Sequence, residues 1–245
     1  MKFMTHLIGG YPSLEANVEM LDAYEAAGVE YVEIQFPFSE PIADGPLFAQ
    51  GNQLAIEAGV KHSDVFDLLK MATSKYSFKV LMMGYYNTVF RQGEKEFCQK
   101  LKDCGAWGMI VPDVPIEEST YLQSCAYNVG LEWIPLVAPT STKDRIQKIS
   151  DVCEQGQGFV YAVARKGTTG KKTDLDSSIT KYLKLLQETF TMDIAVGFGI
   201  SERSHIETLT GNAEIAVIGS AGLRAYQEGG KTALLTLLQN LQGKA

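Results

Sequence analysis

Short apolar segments alternate with helix-like segments along the whole chain, and this alternation limits the possible folds more than any other feature. The strand-like segments are rich in β-branched and aromatic residues and stop at turn residues. There are eight of them: Phe3–Ile8, Tyr31–Phe36, Phe78–Met83, Trp107–Val111, Glu132–Ala138, Gly158–Ala164, Ile194–Val196 and Ile215–Ile218. Eight strand–helix units in 245 residues predict an α/β protein with one (β/α)8 (TIM) barrel domain covering residues 1–245.

The segments between the strands carry helix start and stop signals. Ser13 is the predicted N-cap of the first helix, Leu14–Ala27, and Gly28 is its C-cap. Further helices are predicted at Leu47–Ala58, Asp64–Thr73 with Ser63 as cap, Glu94–Cys104, Glu117–Asn128, Lys143–Val152 with Thr142 as cap, Asp176–Glu188, Glu202–Thr210 and Lys231–Gln242. A doubly wound open sheet is the structural rival, but its first turn favours G-x-G-x-x-G, and the turn here is Gly9–Pro12. The barrel is therefore the better prediction.

Composition excludes several classes of function. The chain has 22 Lys and Arg against 29 Asp and Glu, a net charge of −7, and no basic cluster, so nucleic acids and anionic membranes are poor partners. No run of residues approaches a transmembrane span, and the start of the chain does not resemble a signal peptide. Four scattered cysteines indicate reduced thiols in a cytoplasmic protein, and no metal-ligand spacing is visible.

One carboxylate lies within the second predicted strand and another lies in the loop after it. Glu33 is inside the apolar strand, where a carboxylate is costly to ionise, and Asp44 is in the loop that follows. In a barrel, active sites form at the carboxyl ends of the strands. Glu33 is therefore a candidate catalytic acid with a raised pKa, or else a core residue paired with a buried Arg; the segment alone leaves both open.

Glycine-rich turns follow the last three predicted strands. Gly197–Ser201 and Gly219–Ser220 follow strands seven and eight, which is the usual phosphate site of such barrels and predicts a phosphorylated substrate. Arg165–Gly170 after strand six is long and polar, and we expect it to act as a lid. A lysine that could form a Schiff base is not expected at the site, because Lys79 opens strand three at the opposite end of the barrel.

One long motif resembles a known family, the α-subunit of tryptophan synthase. Residues 33–46, EIQFPFSEPIADGP, are similar to the family pattern E-L-G-x-P-F-S-D-P-x-A-D-G-P. Shorter matches occur in order along the chain, at Tyr85–Asn87, Pro112–Glu118, Arg165–Gly170, Gly197–Ser201 and Gly219–Ala221. The resemblance implies a lyase of tryptophan biosynthesis that cleaves indole-3-glycerol phosphate to indole and glyceraldehyde 3-phosphate. It also implies no cofactor in this chain and a pyridoxal-phosphate-dependent β-subunit as partner, in an α2β2 complex.

The resemblance also assigns roles to residues. Glu33 would be the general acid and base, and Asp44, ionised in a wetter loop, would bind the indole N–H. Thr169 would hold Asp44 when the lid closes. The indole pocket would be lined by Tyr85, Ile110, Val137, Tyr161 and Phe198, and the phosphate would lie on Gly170, Gly197, Phe198, Gly199, Gly219 and Ser220.

The chain departs from the family pattern at three places. The helix that usually precedes strand one is lacking, Gln35 replaces a Gly two residues after Glu33, and His6 replaces an aromatic residue. We expect Gln35 to crowd the site and His6 to make the indole pocket more polar. The alternative function is a weakly active or non-catalytic subunit that mainly activates a β-subunit.

Overall fold

The fold is a ring of parallel strands surrounded by helices. The computed structural model describes residues 1–153, 156–163, 177–197 and 199–244. Within these residues the strands are β1 Lys2–Ile8, β2 Tyr31–Gln35, β3 Lys79–Met83, β4 Gly108–Ile110, β5 Glu132–Trp133, β6 Leu136–Val137, β7 Phe159–Val163, β8 Asp193–Gly197 and β9 Ile215–Ile218. They form one sheet in the order β5-β4-β3-β2-β1-β9-β8-β7-β6, with every pairing parallel.

The sheet closes through the fifth predicted strand, which is divided in two. β5 pairs with β4 and β6 pairs with β7, so the two edges of the sheet belong to one short segment. The N–H of Ile134 donates to Met109 on one side, and the carbonyl of Pro135 accepts from the N–H of Tyr161 on the other. Pro135 has no N–H, so a continuous ladder is interrupted there. The barrel prediction is confirmed, and the single strand Glu132–Ala138 is corrected to two.

The helices agree with the predicted pattern, with four corrections. They are α1 Leu14–Ala27, α2 Pro46–Glu57, α3 His62–Lys75, α4 Tyr86–Phe90, α5 Glu94–Asp103, α6 Thr120–Asn128, α7 Lys143–Cys153, α8 Ser177–Thr189, α9 Arg203–Leu209 and α10 Ser220–Gln242. The short α4 was not predicted, and α6 begins three residues later than expected. Ser63 is not a cap, because α3 begins one residue before it and Asp64 accepts from the N–H of Lys61. The last helix begins at Ser220 and is interrupted at Gly229 and Gly230, so only its second half was predicted.

The apolar core has two layers, which follow from the alternation of side chains along each strand. The larger layer lies between the strands and the helices, and a smaller cluster that includes Met4, Leu81 and Phe159 fills the barrel interior. Lys79 packs over Trp107 and Tyr31 at the amino-terminal end of the strands, far from the mouth, as expected. No helix in the described part of the chain is long and apolar enough to cross a membrane.

Candidate active site

Glu33 lies on β2 beside His6 of β1, with which it is in register. Glu33 is 2% exposed, and its Oε2 lies 3.7 Å from His6 Nδ1. Its Oε1 has no hydrogen-bond partner among the described residues. Desolvation, and then repulsion from Asp44, raises the pKa of Glu33 from 4.5 to about 8. Within the described residues no arginine pairs with this carboxyl group, so the geometry favours the candidate acid over the ion-paired core residue.

His6 is a neutral neighbour of Glu33 and does not form an ion pair with it. Its ring stacks on Phe48, with centroids 4.3 Å apart, and lies in the cavity wall. Desolvation lowers the pKa of His6 to about 3, although the adjacent Gln35 amide partly opposes that effect. A neutral imidazole cannot stabilise a carboxylate by charge, so it leaves the raised pKa of Glu33 in place.

Asp44 is held by side chains from three directions. Its Oδ2 accepts from Gln35 Nε2 at 2.7 Å, from Tyr85 Oη at 3.1 Å and from Asn52 Nδ2 at 3.5 Å. Asp44 is 8% exposed, so the expectation of a wetter loop is corrected: side chains from α2 and from the ends of β2 and β3 cover it. Desolvation raises the pKa of Asp44, and the hydrogen bonds from Gln35 and Tyr85 lower it. Desolvation is the larger effect, and the resulting pKa is about 6.

The loop that carries Asp44 is fixed by local chemistry as well as by these contacts. The Asp44 N–H donates to the carbonyl of Pro41 at 2.9 Å and closes a tight turn. Pro46 then begins α2 at a position where its missing N–H costs nothing. The turn and the helix start together return the chain over the strand ends and place Asp44 above β2.

A cavity of about 720 Å³, counted out to its open mouth, joins these groups at the carboxyl ends of the strands. Of the predicted site residues, those that line the cavity are Glu33, Asp44, Ile110, Tyr161, Gly197, Gly199, Gly219 and Ser220. The lining also includes His6, Phe48, Met83 and Leu136, of which only His6 had been singled out from the sequence. The remaining three are ordinary apolar residues, and no sequence signal distinguishes them from core residues.

Glycines form one end of this cavity. A Cβ atom on Gly197 would lie 2.7 Å from the hydroxyl and ring of Tyr161, so a larger residue there requires that ring to shift. Gly199 has a φ of 70°, which favours glycine. Gly219 precedes the first turn of α10, which no side chain of the described residues caps. The first N–H groups of that helix are available to an anion.

Several predicted site residues have other positions. Val137 is buried in the layer between strands and helices, where its carbonyl accepts from Tyr182, and the adjacent Leu136 lines the cavity in its place. The pocket prediction is corrected by one residue, because neighbouring residues of a strand face opposite sides. Tyr85 is fully buried behind the cavity and contacts Asp44. The predictions for Thr169, Gly170 and Phe198, and the lid Arg165–Gly170, lie outside the described residues.

Asp113, in the loop after β4, supports the mouth of the barrel. Its Oδ1 accepts from the N–H of Tyr86 at the start of α4, at 2.8 Å, and ties the loop after β4 to the loop after β3. No cluster of metal-ligating side chains occurs in the described part of the chain. The fold and site together define a (β/α)8 barrel with two buried carboxyl groups and several glycines around one cavity at the carboxyl ends of the strands.

Comparisons with known proteins agree with this class. The family model described as "Tryptophan synthase alpha chain" matches residues 1–243. The tryptophan synthase alpha chains of Syntrophotalea carbinolica and Desulfotalea psychrophila are 37% and 38% identical, each over 98% of this chain and 93% of the relative. The fold is similar to a chain in a crystal structure of the tryptophan synthase complex from Pyrococcus furiosus, with a TM-score of 0.88, 27% identity and coverage of 99% of this chain and 98% of that one. This chain belongs to the tryptophan synthase alpha chain family, a family of lyases in tryptophan biosynthesis.

Proposed function

We propose that this chain cleaves indole-3-glycerol phosphate by a retro-aldol reaction, giving indole and glyceraldehyde 3-phosphate. One observation carries the proposal: Glu33 and Asp44 share a cavity with a glycine-lined anion end, and their pKa values are about 8 and about 6. At pH 7, Glu33 is therefore mostly protonated and Asp44 mostly ionised. Two carboxyl groups with separated pKa values are suited to opposite roles in acid–base catalysis.

Glu33 supplies the proton that C3 of the indole ring takes up. It protonates C3 of the indole ring, which weakens the bond between C3 and the glycerol carbon. As that bond breaks, its electron pair returns to the ring, the adjacent hydroxyl becomes the aldehyde, and the Glu33 carboxylate accepts the hydroxyl proton. The proton taken from Glu33 is thereby returned to it, and no oxidant, reductant or cofactor of this chain enters the balance.

Asp44 stabilises the positive charge that develops on the ring after C3 is protonated. Its carboxylate accepts a hydrogen bond from the indole N–H, which becomes more acidic as the charge develops. Tyr161 and Ile110 supply pocket walls for the ring. The phosphate binds at Gly197, Gly199, Gly219 and Ser220, and the same proposal extends to Gly170 and Phe198, with Thr169 holding Asp44.

The product indole implies a partner that consumes it. We infer a β-subunit that carries pyridoxal phosphate, in an α2β2 assembly; the similarity to a chain from a tryptophan synthase complex supports this. The four cysteines are free thiols, which suits the proposed cytoplasmic location. The continuous ring of strands supports one domain over residues 1–245.

The test is indole release from indole-3-glycerol phosphate, measured with and without a β-subunit. The wild type is expected to show a bell-shaped dependence of kcat/KM on pH, with limbs near 6 and 8. The Glu33→Gln variant should lose at least a thousandfold in kcat, roughly the scale of a positioned general acid. Glu40→Gln, an exposed carboxylate of the following loop, is the control and should keep its activity. Full activity of Glu33→Gln would refute the assignment, and a wild type that only activates the β-subunit would favour the non-catalytic alternative.

A further inference from the structure

Gln35 is a buried polar side chain that the proposed chemistry does not yet use. It lies two residues after Glu33 on β2, on the same face of the strand, and it is fully buried. Burying an amide is costly unless its hydrogen bonds are made, which raises the question of what the amide does there.

The amide donates directly to the second carboxylate of the site. Gln35 Nε2 lies 2.7 Å from Asp44 Oδ2, which is the shortest of the three side-chain contacts to that oxygen. The other two donors, Tyr85 and Asn52, come from different elements of the barrel. Rotation of the carboxylate about its Cβ–Cγ bond would break all three hydrogen bonds. The contact therefore fixes the direction in which Oδ1 points.

We propose that Gln35 is a positioning residue that holds the Asp44 carboxylate in the orientation from which it accepts the ring N–H of the substrate. This inference rests on the proposed function, in which Asp44 binds that N–H. Gln35 does not line the cavity; it acts through Asp44 and contacts no reacting atom. The expectation that Gln35 only crowds the site is replaced by a specific contact.

A hydrogen bond to an ionised group also favours the ionised form, so Gln35 should affect the titration of Asp44. The titratable groups that interact with Asp44 are Glu33 on β2, Tyr85 after β3 and Tyr161 on β7, and Asp44 raises the pKa of each of them. His6 lies in the same cavity wall and is neutral. Loss of the Gln35 amide removes a contact that raises the His6 pKa, so His6 stays neutral in the variants. No charged neighbour of Asp44 is added or removed, so a change in the pKa of Asp44 would report the lost amide.

The experiment compares Gln35→Met, which keeps a long unbranched side chain without a donor, with Gln35→Gly, which removes the whole side chain. Gln123→Met is the matched control: Gln123 is also a buried glutamine amide, and it donates to Ser119, and neither residue lines the cavity. The first readout is the pKa of Asp44 in the ligand-free protein, measured by NMR of carboxyl-labelled Asp. The second is the pH profile of indole release.

We expect the pKa of Asp44 to rise from about 6 in Gln35→Met and Gln35→Gly, and the acid limb of kcat/KM to move upward with it. Loss of one hydrogen bond to a charged group should lower kcat/KM roughly ten- to a hundredfold at pH 7. Gln123→Met should change neither quantity. An unchanged Asp44 titration and acid limb in both Gln35 variants would overturn the inference, even if general activity fell.

The two readouts separate this inference from the proposed function. A wild type that releases no indole refutes the proposed function, and the NMR titration still decides whether Gln35 holds Asp44. An active wild type whose Gln35 variants titrate normally refutes only the role of Gln35. Circular dichroism of each variant confirms the fold before either measurement, and Gln35→Met preserves the packing if Gln35→Gly leaves a destabilising void.

Discussion

The raised pKa of Glu33 predicts that Glu33→Gln makes the protein more stable at neutral pH while removing its activity. In the unfolded chain the glutamate ionises near 4.5, whereas in the folded protein its pKa is about 8. Between these two values the unfolded state binds fewer protons than the folded state. The free energy of unfolding of the wild type therefore falls as pH rises through this window. Glutamine resembles the protonated acid and does not titrate, so the variant avoids this loss.

The magnitude follows from the two pKa values. From 4.5 to pH 7 is 2.5 pH units, and at about 1.4 kcal/mol per unit the wild type loses roughly 3 kcal/mol that the variant keeps. For a chain of this length, that difference corresponds to an increase in Tm of roughly 6–12 °C. At pH 4.5 and below, where the acid is protonated in both states, the difference should nearly vanish. Above pH 8 it should stop growing.

The assay is urea unfolding of wild type and Glu33→Gln at a series of pH values from 4.5 to 8.5, followed by both circular dichroism and fluorescence. Coincident transitions by the two probes are needed before free energies are extracted. Glu40→Gln, exposed in the following loop, is the control and should show no pH-dependent gain. A stability gain for Glu33→Gln that is the same at pH 5 and pH 8 would refute the reasoning, because the effect would then come from packing and not from ionisation.

Three further changes test other parts of the structure. Tyr85→Phe removes a 3.1 Å donor to Asp44 and should lower kcat/KM roughly tenfold with an upward shift of the acid limb, seen in the pH profile of indole release; an unmoved limb would contradict it. Gly197→Ala places a Cβ 2.7 Å from the Tyr161 ring and should raise KM roughly tenfold or more, measured by initial rates. An unchanged KM would show that the ring moves aside without disturbing the substrate site. Ser13→Ala removes the α1 cap and should cost about 1 kcal/mol in urea unfolding with no change in kcat; a lower kcat would show that the cap reaches the site.

Local signals determined most of the fold. The first helix has the predicted bounds and both predicted caps, because Ser13 and Gly28 act on adjacent backbone groups and need no distant contact. The fifth strand was misread, since the strand pattern continues through Pro135 and only the pairing partners show where the ladder divides. The caps are local events, whereas closure of the barrel depends on elements far apart in the chain.

The sequence alone placed Glu33, Asp44 and the glycines after strands seven and eight at the carboxyl ends of the strands. Eight alternating strand–helix units predict a barrel, and in a barrel the loops at that end form the active site. It could not decide whether Leu136 or Val137 faces the cavity. Neighbouring residues of a strand face opposite sides, and a strand of two residues is too short for its sequence pattern to show which side is which. Only the tertiary structure brought the Gln35 amide to Asp44 and set His6 beside Glu33 as a neutral ring. The pKa of a buried group depends on how completely distant elements exclude water and on which donors they supply, and those contacts exist only once the barrel has closed.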